Sequence, residues 1–365
     1  MELPYSDIIA VQSLSRVFKE TTNSYKFYWF LAILDQLRKT GETRIAMSDL
    51  SLQMMASVWY PLDYYKLSFG SQDQFREIAK FISSHLDVNT RKNAPDLIEQ
   101  LRIGLSEAEL TVVYQRVKSL LRWVPFRFIR PFFDQETKGL PDGHVNNETV
   151  RLANQSVKAP YWFDGDYIVI HDVWAQYFQQ YQYILRGFIH WHLVRFLQKN
   201  NPNVSALSEK LERPVDRDFK TARPFWTAYL AQNPGLPCIY SNQPVTKANL
   251  SIDHYLPFSF VAHDQLWNLV PTTKAVNSAK NDRLPDTDSY FQKFARLQFD
   301  AFQFFANAGD EKKLEDYSIA FRESTEGIKQ HSFEWFQERL GHVIMPQLQT
   351  AQNMGFSYPF IYQKS

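Results

Sequence analysis

The sequence predicts a mainly α protein, with helical N- and C-terminal parts flanking a short block of different character. Three observations carry this expectation. Apolar residues recur at helical spacing along most of the chain. Hydrophobic residues make up 44% and aromatic residues 16% of 365 positions, ample for a packed aromatic core. Only 12 glycines are present, too few for a loop-rich β-sandwich. The length accommodates two domains, or one domain with an insertion. The expected division is a helical part over 1–233 with a small hairpin near 160–171, an inserted domain over 234–286, and C-terminal helices over 287–365 packing on the rest.

Taken in order, residues 8–20 read as a short helix. Ser24 is placed to cap the next, Tyr25–Lys39, whose run from Phe27 to Leu34 is apolar nearly all round. Asp35 and Arg38 cut that run short, so it reads as a buried helix and not a membrane span. Helices follow at Asp49–Trp59 and Ser71–Leu86. Another starts near Asn93-Ala-Pro95. The next spans Ser106–Leu121, where Ser106 and Glu109 suit a capping box. Pro125 and Pro131 are expected to stop a helix in the tract Arg122–Phe133, in which three arginines alternate with aromatics. Tyr161–His171 reads as a hairpin turning at Gly165. Asp172–Lys199 reads as one long helix, and Asn200-Asn-Pro-Asn as the clearest break. Ser208–Asn233 reads as helical with a break near Pro224. After Pro285, helices are expected at Ser289–Ala306, Glu311–Ser324 and Glu326–Asn353, with a turn at Gly309.

Composition excludes some classes. The net charge of +1 neither supports nor excludes a polyanionic partner, because such a protein needs only a basic cleft. Cys238 is the single cysteine, which rules out an intramolecular disulfide and a four-cysteine zinc site. The first residues are acidic and polar, and no stretch of about 20 residues is apolar throughout. A cytoplasmic protein without a membrane partner is expected. No phosphate-binding glycine loop or dinucleotide fingerprint occurs.

The inserted block carries the chemistry. It holds an Asp-His pair (Asp253, His254), an Asn fourteen positions after the His (Asn268), and a second Asn nine further on (Asn277). This order and spacing resemble the HNH nuclease motif, the ββα-metal fold, in the variant whose last His is replaced by Asn. The resemblance covers roughly residues 236–285. It implies a hairpin and a helix clasping one divalent metal, with Leu236–Tyr240 as first strand, Leu250–His254 as second and Thr272–Lys280 as helix. A metal-dependent endonuclease acting on DNA is the implied function. By the same resemblance, nucleases joined to such helices belong to bacterial restriction or anti-phage defence, where other defence proteins are potential partners.

Within that resemblance each residue type has a task. His254 is the expected general base, because a neutral imidazole accepts a proton near pH 7. Asp253 and Asn277 supply hard oxygen donors, which suits Mg²⁺ or Mn²⁺. Asn268 is expected to hold the loop that orients His254. Lys280, one turn beyond Asn277, is expected to face a phosphate and assist catalysis. Lys274 and Arg283 are expected to grip the nucleic-acid backbone. Many such domains bind a structural zinc through paired Cys-x-x-Cys motifs. Here Cys238-Ile-Tyr-Ser241 and Thr273-Lys-Ala-Val276 stand instead, so no structural zinc is expected.

Other constellations read as structural. His190 and His192, two apart in a helix, face different sides. His171 beside Asp172 lacks further pattern. Asp264, following His263, reads as a turn or capping residue rather than a catalytic one. Lys210, Arg213, Arg217, Lys220 and Arg223, interleaved with Glu209, Glu212, Asp216 and Asp218, read as a solvated helix face. Arg122, Arg127 and Arg130 among Trp123, Phe126 and Phe128 suit either a core segment with arginines at its rim or a nucleic-acid surface. Two other functions stay open at this point: a non-catalytic nucleic-acid-binding module that keeps the fold, and a partner-binding or toxin protein using its helices.

Overall fold

The computed structural model describes residues 2–89, 96–213 and 217–363. The chain divides into two compact units, Met1–Pro202 with Leu207–Arg213 and Asn203–Ala206 with Pro214–Ser365. This differs from the three-part division expected. The helix Ala222–Gln232 and the helices after Asp286 share one hydrophobic core with the inserted block, because each offers an aromatic face that the small block alone could not cover.

The first unit is built on the helix Tyr25–Thr40, buried from Phe27 through Asp35. Trp29 is fully buried at its centre. Its indole Nε1 donates to the Tyr161 hydroxyl at 3.0 Å, which donates in turn to the Pro125 carbonyl at 2.6 Å. Both polar tips are thus satisfied inside an apolar core. The helix ends at Gly41, whose φ of 71° a side chain would disfavour. Among the described residues no helix is long and apolar enough to cross a membrane. Tyr161–Asp164 and Tyr167–Ile170 pair antiparallel around Gly165, and Arg44–Ala46 adds a third strand to Tyr167–Ile170. That third strand is three residues long, too short for an alternating pattern to announce it.

Several expectations are corrected. Ser24 makes no side-chain cap; its hydroxyl donates to Asp73 at 2.7 Å. Pro125 and Pro131 do not stop a helix but open Val124–Ile129 and the 3₁₀ turn Arg130–Phe132, since a first-turn residue needs no N–H. Asp172–Lys199 is two helices, Asp172–Gln180 and Gln182–Asn200, joined at Tyr181. The Ser208–Asn233 stretch holds a 3₁₀ turn at Glu209–Leu211 and a helix only from Ala222, with Pro224 in its first turn. The basic run there is therefore no single helix face, and Lys210 is fully buried. The Ser106–Glu109 capping box is present. Asn93, Pro95 and Asp216 lie outside the described residues.

In the second unit the hairpin Leu250–His254 and Leu269–Thr273 is followed by the helix Lys274–Lys280. Behind it lie Thr287–Asn307, Glu315–Phe321 and Phe333–Asn353. Tyr255 stacks on Phe294 at 3.9 Å and Phe225 on Phe305 at 4.2 Å between ring centroids. Buried Gln298, on the long helix, donates to the Leu269 carbonyl at 2.8 Å and accepts from the Tyr317 hydroxyl at 2.5 Å. One amide therefore ties the hairpin to two helices.

Candidate active site

The two strands that carry the site are Leu250–His254 and Leu269–Thr273, with Asp253 opposite Val270 and His254 opposite Leu269. The strand expected at Leu236–Tyr240 is instead a tight turn. Pro237 and Pro244 bridge across it, and Cys238 N donates to the Gln243 carbonyl at 2.8 Å. Two prolines without N–H groups cannot run a ladder, whereas Val270, Thr272 and Thr273 suit one. The helix begins at Lys274 rather than Thr272, because the Thr273 hydroxyl caps the Val276 N–H at 3.4 Å.

Asp253 and His254 end their strand facing a polar cleft of about 300 Å³, also lined by Arg217, Ser251, Lys274 and Asn277. His254 is 2% exposed and lies beside the rings of Phe219 and Phe258, at 5.7 and 5.3 Å. Its Nε2 is 2.7 Å from Asp264 Oδ1. A carboxylate only accepts, so Nε2 carries the proton and the neutral ring keeps its lone pair on Nδ1. Burial holds this imidazole below its ordinary range, with the Asp264 hydrogen bond pulling the other way. Asp264 also accepts from the Asp218 N–H at 2.6 Å, which fixes the carboxylate. Sequence reasoning treated Asp264 as a turn residue; nothing in a ten-residue separation announces the contact.

Lys280 is fully buried. Its ammonium lies 3.2 Å from Asp253 and donates to the His254 carbonyl at 2.6 Å. Burial pushes it down and Asp253 pulls it back up. The expectation that Lys280 grips a phosphate at the surface is therefore corrected: it braces the Asp253–His254 strand end from inside. Tyr240 also donates to Asp253, at 2.9 Å. Burial, then the Asp253 charge, keeps that phenol protonated far above its ordinary range.

Asn277 donates through Nδ2 to Ser251 Oγ at 2.9 Å and to the Ile252 carbonyl at 3.0 Å. These bonds commit the nitrogen and leave Oδ1 as the donor atom for a ligand. Asn268 is fully buried, and its carboxamide clamps the Leu256 N–H and carbonyl at 2.8 and 2.9 Å. That clamp shapes the chain directly after His254. Lys274 is exposed and lines the cleft, whereas Arg283 turns to the Ala279 carbonyl and to the Phe360 ring. Arg217 lines the cleft too, a cation that the sequence assigned only to a basic run. Cys238 is buried with Sγ 3.2 Å from Thr272 Oγ1.

A divalent metal is implied by the resemblance, and the donor chemistry fits one. Asp253 and Asn277 Oδ1 are two hard oxygen donors on one polar cleft, suited to a cation that keeps several waters. Lys280 shares the Asp253 carboxylate, so that donor is partly neutralised. Among the described residues no group of three or more His, Cys, Asp or Glu side chains is placed to hold a metal, so an ion here would rely on Asp253, the Asn277 amide and water.

Against known families, residues 238–286 match the model of the HNH endonucleases. The matched stretch contains Asp253, His254, Asp264, Asn268, Asn277 and Lys280. The chain thus carries an HNH nuclease domain, whose substrate is nucleic acid. No curated protein and no solved structure matches the chain.

Proposed function

We propose that this HNH nuclease domain is a metal-dependent endonuclease that hydrolyses DNA phosphodiester bonds with His254 as general base. The observation that carries this reading is the His254 ring, held through Nε2 by Asp264 at 2.7 Å with its Nδ1 lone pair uncommitted, lining a cleft it shares with Asp253 and Asn277. A neutral imidazole in that state takes a proton from water at neutral pH. Asp253 and Asn277 would hold Mg²⁺ or Mn²⁺, which supplies charge stabilisation for the phosphate when bound. Lys280 and Tyr240 fix the Asp253 carboxylate, and Asn268 fixes the turn after His254. Lys274 and Arg217 are the cations placed to meet the backbone of the substrate.

The setting we propose is bacterial restriction or anti-phage defence, in the cytoplasm. Its support is the joining of such a nuclease to helical parts. The deciding experiment incubates the purified chain with plasmid and with single-stranded DNA, with Mg²⁺, Mn²⁺ or EDTA. Cutting that needs the metal and is lost in His254→Ala supports the reading; equal cutting by a folded His254→Ala protein overturns it. Plaque counts on a host carrying the wild-type or the His254→Ala gene test the setting.

A non-catalytic module that keeps the fold is the second reading. The 2% exposure of His254 and the Lys280–Asp253 pair favour it. Nucleic-acid binding without metal-dependent cleavage on any substrate would select it.

A further inference from the structure

The helical unit has a second polar cleft, larger than the nuclease cleft and built on the arginine–aromatic tract. It encloses about 1030 Å³, at the upper end of the roughly 300–1,000 Å³ usual for small-molecule sites. Its lining includes six cations: Arg16, Lys19, Lys26, Arg122, Arg127 and Arg130. Against them stand two carboxylates among the described lining residues, Glu20 and Asp134.

Three of the cations, Lys26, Arg130 and Arg16, are held in place. Lys26 donates to the Val17 and Glu20 carbonyls, both at 3.1 Å. Arg130 reaches Asn146 Oδ1 with Nε at 3.2 Å and with its terminal nitrogen at 2.8 Å. Arg16 donates to the Pro131 carbonyl at 3.1 Å and pairs with Asp134 at 3.4 Å. Carbonyl oxygens orient the Lys26 ammonium without cancelling its charge, whereas Arg16 shares its charge with Asp134, so part of the positive field stays available to an anion. The Lys26 ammonium registers that field. Burial first, then Arg130, brings it down to about 8.

Trp123 adds the second half of the chemistry. It lines the same cleft and is 42% exposed. Arg122 and Arg127 lie 5.0 and 5.2 Å from its ring. A partly exposed indole with guanidinium groups over its ring combines remaining stacking surface with phosphate partners, the pairing that binds unpaired bases.

We propose that this cleft binds a nucleic-acid strand in single-stranded form, with phosphates on the cations and a base on Trp123. The choice of nucleic acid among polyanions rests on the nuclease reading of residues 238–286. The cleft volume favours several linked nucleotides over one.

The test uses the full chain carrying His254→Ala, without divalent cation. Binding of a labelled oligothymidine is followed by fluorescence anisotropy at several salt concentrations. Lys19→Glu with Arg122→Glu, both at exposed positions, should weaken binding at least about tenfold and reduce the slope of log K against log salt by about 0.7 per lost contact. Trp123→Ala should weaken oligothymidine by roughly tenfold, the loss of one base stack, while heparin binding stays unchanged. Parent-like binding by both variants overturns the proposal, as does no binding by the parent. Equal Trp123→Ala losses for duplex DNA overturn the single-strand assignment, and competition by thymidine monophosphate as tight as by the oligonucleotide overturns the strand assignment. Strand binding with no metal-dependent cutting of plasmid or single-stranded DNA by wild type would sink the nuclease reading alone. Metal-dependent cutting with unaltered binding in both variants would sink the cleft alone.

Discussion

His254 and Asp264 form a buried imidazole–carboxylate pair, Nε2 to Oδ1 at 2.7 Å, in which each group limits what the other can do. The carboxylate selects the tautomer whose lone pair is on Nδ1 and fixes the plane of the ring. Phe219 and Phe258 flank that ring, so its orientation is set by packing as well as by the hydrogen bond. In the proposed nuclease Asp264 is a positioning residue, acting through His254.

Asp264→Asn should therefore lower kcat by about 10–100-fold, the range usual for hydrogen-bond partners one step from the chemistry, with KM little changed. The amide can present its NH₂ to Nε2 and favour the other tautomer. Asp264→Glu should recover part of the rate if the carboxylate itself matters. Steady-state kinetics beside circular dichroism checks this; wild-type kcat in folded Asp264→Asn removes the residue from the mechanism.

Lys280→Met should destabilise the fold by about 3–5 kcal/mol, the usual result of removing one partner of a buried ion pair. The Asp253 carboxylate, 3% exposed, would keep only its neutral partner Tyr240. Adding Asp253→Asn should restore part of the loss. Urea unfolding measures both. A loss under 1 kcal/mol, with a flatter salt dependence of DNA binding, would instead return Lys280 to the phosphate-gripping role that the sequence suggested.

Asn277→Ala should weaken Mn²⁺ binding about tenfold or more if it is one of the two protein donors proposed. Calorimetric titration of the chain with MnCl₂ reads this directly, without reference to cleavage. Unchanged affinity takes Asn277 off the ligand list. Elemental analysis of protein purified without chelator tests the structural-zinc expectation separately, and stoichiometric zinc would contradict it.

The Lys26 ammonium should make strand binding in the helical unit pH-dependent. Its folded value is about 8 against an ordinary 10.5. The folded chain therefore binds fewer protons than the unfolded one across that interval, so this group makes stability rise with pH from about 8 to 10.5. Anion affinity follows the charged form and should fall between pH 7 and 9. Arg127, Arg130, Glu20 and Asp134 act on the same ammonium. Lys26→Gln should flatten the pH dependence in anisotropy titrations; an unchanged slope would assign it elsewhere.

The helical character of the chain was legible because apolar periodicity is a local property. Tyr25–Thr40 and Glu107–Leu120 both appear close to their expected bounds, the second with its capping box. Prolines misled where their meaning depends on position: Pro125 and Pro224 lie in the first turns of helices, where the missing N–H costs nothing. The Asp253-His254, Asn268 and Asn277 spacing identified the nuclease domain, since residue type and order survive in one dimension. It did not identify which residues pair. Lys280 reads as a surface cation at i+3 from Asn277, yet burial turns it inward to Asp253 and the His254 carbonyl.

What the sequence by itself determined is therefore the helix content, the nuclease motif and the residue types available for its chemistry. Only the tertiary structure decided that Asp264 faces His254, that Tyr240 and Lys280 share Asp253, and that six cations with Trp123 line one cleft. The physical reason is the range of the forces. Backbone hydrogen bonding and apolar periodicity act over a few residues and leave a repeat in the sequence. Buried hydrogen bonds and ion pairs form between side chains brought together by packing, and the separation between their partners leaves no repeat to read.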